Sequence, residues 1–131
     1  MRRANLWVGL MWLALAAPVA ADMPIQVLRS RSVSTTSKSR QLVYTSVPAS
    51  ASDTQIVASV KNYAQKERKT SGLDEVTVFV DLDSAKNCEK IIASYMTITD
   101  PGKIETGYPT RTAYTKAIDK LRSQGSCKAL Y

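Results

Sequence analysis

The 131-residue sequence contains no histidine. That removes the commonest general base and the commonest zinc ligand, and with them any Ser-His-Asp or Cys-His mechanism. Cysteine is held to two, Cys88 and Cys127, whose spacing is not the C-x-x-C of a redox site. Both tryptophans, Trp7 and Trp12, lie in the first 12 residues, and Phe79 is the single phenylalanine. There is no Gly-rich phosphate loop, no low-complexity tract, and no apolar run of the roughly 20 residues needed to span a bilayer.

The N-terminus is what the sequence does specify. Arg2 and Arg3 precede the uncharged run Leu6 to Ala17 (LWVGLMWLALAA), and Val19-Ala20-Ala21 supplies small residues before Asp22. This is the pattern of a secretory signal peptide (residues 1–21) cleaved after Ala21. The residues after the paired arginines fit twin-arginine export poorly, and no cysteine follows the cleavage site to carry a lipid. The expected product is a single exported domain, residues 22–131, periplasmic or extracellular. Losing Arg2 and Arg3 lowers the 18 basic residues to 16 against 11 acidic, a net charge of +5. In an oxidising compartment Cys88 and Cys127 are expected to form a structural disulfide. Closing a loop of about 40 residues stabilises a fold by roughly 4 kcal/mol in the chain-entropy model.

The stretch RSRSVSTTSKSR, residues 29–40, holds four basic residues (Arg29, Arg31, Lys38, Arg40) and is the densest positive patch. Apolar residues partly alternate from Ile25 to Val33, and Gln41 to Val47 is rich in strand formers. The two runs read as a hairpin turning near Thr35 to Ser39, rather than as a flexible serine-rich leader. Ser52-Asp53-Thr54-Gln55 reads as a capping box. The helix it opens carries Ile56, Val57, Val60, Tyr63 and Ala64 on one face and ends near Thr70, before Gly72. Glu75 to Asp83 alternates Val76, Val78, Val80 and Leu82 on one side with Phe79 on the other, which suggests a central strand buried on both faces. Ile91 to Thr99 reads as a strand hairpinned to it, although residues 84–98 also admit a partly helical reading; Asp100-Pro101-Gly102-Lys103 reads as a turn, and 104–110 as a loop. A second helix is expected from Thr112 to Ser123.

The order β-β-α-β-β-α predicts an α+β fold with a small, mostly antiparallel four-stranded sheet and a helix on one face. VTVFV following a capped helix that begins Ser52-Asp53 resembles small uncharacterised secreted bacterial domains built as hairpin, helix, hairpin. The resemblance is architectural, spans roughly residues 25–98, and carries over no functional residues.

Three candidate sites follow. Arg29, Arg31 and Arg40 could engage a partner. Tyr108 and Arg111, beside the start of the second helix, could hold an anion, although helix starts favour such loops without any ligand. Asp81, Asp83 and Glu89 could serve a metal-dependent hydrolase, but a calcium loop wants more oxygen ligands and usually a glycine. Basic residues without aromatics among them are a poor nucleic-acid footprint. The sequence therefore reads as a non-enzymatic binding or accessory module of a bacterial cell envelope, with no cofactor. Its expected partner is another envelope or extracellular protein, or an anionic envelope polymer. A secreted inhibitor or effector acting through the 99–111 loop is the other reading.

Overall fold

The computed structural model describes residues 23–85 and 94–125. The expected signal peptide, Cys88, Cys127, Glu89 and the first residues of the Ile91–Thr99 run lie outside the described residues.

The chain opens with a hairpin of β1 (Gln26–Ser32) and β2 (Arg40–Val47), paired antiparallel. The serines and threonines between them build a turn and not a leader. Thr35 N–H donates to Lys38 O at 2.8 Å, and Arg40 N–H donates to the Ser34 hydroxyl at 3.0 Å. Ser39 then ties the hairpin to Asp74, at the entry of the third strand. Its N–H and hydroxyl both donate to Asp74 Oδ2, at 2.8 and 3.1 Å. These bonds, the backbone one first, hold the Asp74 carboxyl below the usual carboxylate range.

Helix α1 (Asp53–Thr70) begins at the expected box. Ser52 Oγ accepts from Gln55 N–H at 3.1 Å, and Gln55 Oε1 accepts from Ser52 N–H at 3.3 Å. Ser52→Ala removes one acceptor for the orphan donors of the first turn, and should lower stability by about 1 kcal/mol in urea unfolding. At the other end Gly72 takes φ +63°, which lets Leu73 N–H reach back to Arg68 O at 2.9 Å. Leu73 packs against the core as the apolar part of that C-terminal motif. Arg68 also pairs with Asp100 Oδ2 at 2.6 Å, fixing the end of α1 to the end of the strand that closes at Asp100.

From α1 the chain enters β3 (Glu75–Leu82), passes a 3-10 turn (Asp83–Ala85), and continues as β4 (Met96–Asp100), β5 (Ile104–Thr106) and α2 (Arg111–Ser123). The strands lie in the order β1-β2-β3-β4-β5, so β3 is central. Ile56, Val60 and Ala64 of α1 pack onto Val43, Val47, Val76, Val78, Val80, Leu82, Met96 and Ile98, all nearly or fully buried.

Three features of the expected fold need correction. The sheet has five strands, because Ile104–Thr106, expected as loop, pairs antiparallel with Met96–Ile98. It is mixed, because β2 and β3 run parallel. A helix between two neighbouring strands returns the chain to its starting end, so the second strand enters in the same direction as the first. Finally, β3 is central but not buried on both sides: Phe79 is only half-buried, on the face opposite α1, which α1 leaves uncovered.

Candidate binding face and the polar network beneath the second helix

The uncovered face is assembled by strand alternation and register. Arg40, Leu42 and Tyr44 share a parity on β2, as Thr77 and Phe79 do on β3. Parallel pairing sets Tyr44 opposite Phe79, with ring centroids 4.8 Å apart and planes 17° from parallel. Antiparallel pairing sets Arg29 opposite Tyr44, with its guanidinium 4.7 Å from the ring centre. Tyr44 is thus held between a cation and a second ring. Thr97 continues that row on β4, and the Thr77 and Thr99 hydroxyls meet at 3.2 Å.

Arg31 lies opposite Leu42, and the Arg40 carbonyl accepts from Val33 N–H at 3.0 Å. The structure therefore brings Arg29, Arg31 and Arg40 onto one face. Among the described residues no carboxylate lies within ion-pair distance of any of the three. Glu75, opposite Arg40 on β3, pairs instead with Lys38 at 3.1 Å. Arg40 Nε is buried and has no hydrogen-bond partner among the described residues.

Tyr108 and Arg111 are placed elsewhere, and the contacts around them are internal. Thr110 caps α2 by accepting from Ala113 N–H at 3.1 Å, and Arg111 is the first helical residue. Its guanidinium donates to Asp53 Oδ1 at 2.7 Å, to Ala49 O at 2.9 Å and to the Tyr95 hydroxyl at 3.3 Å. Tyr95 itself donates to Asp53 Oδ1 at 2.6 Å. That hydrogen bond, with Arg111 adding to it, draws the Asp53 carboxyl below the usual range. Burial, reinforced by Asp53, pushes the Tyr95 phenol up. Tyr108 sits edge-on to Tyr114, with centroids 5.1 Å apart.

Asp81 and Asp83 are likewise engaged. Asp81 Oδ1 accepts from the Tyr114 hydroxyl at 3.0 Å and from Tyr95 N–H at 3.3 Å, and Oδ2 accepts from the Ser94 hydroxyl at 3.5 Å. Burial nonetheless outweighs these bonds and raises the Asp81 carboxyl above the usual range. Asp83 Oδ1 accepts from Ala49 N–H at 2.8 Å, tying the 3-10 turn to the approach to α1. Among the described residues no group of three or more acids, cysteines or histidines is placed to hold a metal ion.

A depression of about 410 Å³ is lined by Asp53, Thr54, Val57 and Ala58, all from one helix and without convergent polar groups. A second, of about 140 Å³ beside Pro24, Ser46 and Asp83, falls below the roughly 300 Å³ at which small-molecule sites begin. No helix among the described residues is long and apolar enough to cross a membrane.

No protein-family model matches the chain, and neither the curated proteins nor the solved structures hold a match to it.

The Arg29-Tyr44-Phe79 stack is not legible in the sequence alone. Period-2 alternation places Tyr44 on the side of Arg40, but the partner of Tyr44 depends on β2 running parallel to β3. Nor is the contact of Tyr95 with Asp53, which joins residues 42 apart in sequence.

Proposed function

We propose that the chain is an exported, non-catalytic binding or accessory module of the bacterial cell envelope. Its partner, another envelope or extracellular protein, docks on the uncovered face of the sheet. The observation that carries this reading is the set of three arginines beside the stacked ring pair, none of them matched by a carboxylate of the described residues. Arginine and aromatic side chains are the residues that most often anchor protein interfaces. Of the acids that a catalytic reading would use, Asp81 and Asp83 are committed to hydrogen bonds within the fold, and Glu89 lies outside the described residues.

Photo-crosslinking tests the surface directly. A crosslinkable residue at Thr97, near the middle of the face, should capture one discrete envelope protein, and excess unlabelled chain should compete it away. The same residue at exposed Lys61 on α1 should not. Equal capture from both positions, or none from Thr97, would withdraw the reading.

A further inference from the structure

The chemistry of the partner can be taken further, on the premise that the uncovered face is the binding surface. β1 is an edge strand: its outer side has no partner among the described strands, and six of its seven residues are exposed. A bulge between Val27 and Arg29 leaves Arg29–Ser32 as its regular part. Register places one arginine in each successive row of the face: Arg29 beside Tyr44, Arg31 beside Leu42, and Arg40 in the row of Val33. Rows on one face of a sheet are two residues apart, roughly 6.8 Å. The guanidiniums therefore repeat with the side-chain period of an extended strand.

We propose that an extended acidic segment of a partner protein adds to the outer edge of β1. Its main chain would pair with the free backbone groups of Arg29–Ser32, and carboxylates at every second position would meet Arg29 and Arg31. Arg40 supports the same charge from the neighbouring strand. This is strand addition, in which the backbone supplies affinity and alternate side chains supply specificity.

Two other occupants fit less well. A second copy pairing through β1 sets arginines against arginines, and like charges opposite one another destabilise a strand pair. The net charge of +5 expected for the exported chain adds long-range repulsion. Single-stranded nucleic acid binds by stacking bases on free ring faces, and both faces of Tyr44 are covered, by Arg29 and Phe79.

Fluorescence anisotropy with the exported chain tests the proposal. The probe is a labelled ten-residue peptide alternating glutamate and threonine. The comparators are a peptide of the same composition with its glutamates in one block, inorganic polyphosphate, and oligodeoxythymidine. The alternating peptide should bind at least fivefold more tightly than the blocked one. The double variant Arg29→Gln, Arg31→Gln should weaken it at least tenfold. The charge-matched double variant Lys116→Gln, Lys120→Gln, on exposed positions of α2, should change it less than twofold. Equal binding of the two peptides, or equal losses in the two variants, would reduce the interaction to unspecific charge and overturn the proposal. Tighter binding of polyphosphate or oligodeoxythymidine, lost in the Arg29 and Arg31 variant, would overturn the acidic segment and leave the face itself standing as the binding surface. If no probe responds to the arginine substitutions, both fall.

Discussion

Replacing Tyr114 with alanine should lower the unfolding free energy by about 3–5 kcal/mol, the cost of truncating a large buried aromatic. Domains of this size hold only about 5–15 kcal/mol in all, so the loss is a large share of the total. Tyr114 has no exposed surface and is the largest side chain among the fully buried ones. Its ring is met edge-on by Tyr95 at 5.0 Å and by Tyr108 at 5.1 Å, the geometry that ring quadrupoles favour. Its hydroxyl donates to Asp81 and accepts from Leu82 N–H at 3.2 Å. Together with Ile118, this ring is the buried attachment of α2 to the sheet. Tyr114→Phe separates the two contributions. It keeps the ring and leaves Leu82 N–H without its acceptor, for about 1–3 kcal/mol. Urea unfolding followed by circular dichroism reads both. Equal losses in the two variants would mean that the hydroxyl, and not the ring, anchors the helix. Tyr114 is not among the Arg29, Tyr44 and Phe79 cluster, so any native fraction should bind as the parent does.

The elements whose determinants are local were the legible ones. The capping box at Ser52, the stop at Gly72 and the alternation of Val76 to Leu82 each act through neighbours a few residues away, and each stands where the sequence places it. The hairpin was legible for the same reason, since its turn is closed by Ser34, Thr35 and Lys38. The parallel pairing of β2 and β3 was not, because side-chain alternation is the same whichever way a strand runs. β5 escaped notice because three exposed residues carry too little alternation to distinguish strand from loop. The candidate site divides along the same line. Strand parity put Arg29 and Arg31 on one side of an edge strand. Their closeness to Arg40, and the ring stack beside them, followed only from the register between strands. Arg111 misled for a related reason: an arginine at a helix start reads as an anion site until the carboxylate that occupies it, Asp53, is brought in from 58 residues away.

Asp81 should give the other large effect, and its sign depends on the substitution. Asp81→Ala leaves the Tyr114 hydroxyl and Tyr95 N–H without their acceptor, at about 1–3 kcal/mol for each donor. Asp81→Asn keeps an oxygen in the position of Oδ1 and removes the charge, so at pH 7 it should match or exceed the parent in stability. The reason is the raised carboxyl. Burial disfavours its ionised form, so the folded chain holds the proton to higher pH than the unfolded chain, whose carboxyl titrates at about 3.9. Between the two values the native state binds more protons, and stability falls as pH rises. The favourable contribution is complete below the unfolded value and is lost as pH climbs through the folded one. Asp53 runs the opposite way. Its lowered carboxyl stabilises the fold above the ordinary range, and that contribution is lost on acidification. The whole-protein profile mixes the two, whereas the difference between parent and Asp81→Asn isolates the first. Urea unfolding at pH 3.5, 5 and 7 should show the parent at its best relative to Asp81→Asn at the acid end, with the advantage shrinking as pH rises. An advantage that instead grows with pH would mean that the Tyr114, Tyr95 and Ser94 hydrogen bonds outweigh burial, making the ionised carboxylate the form that holds α2 in place.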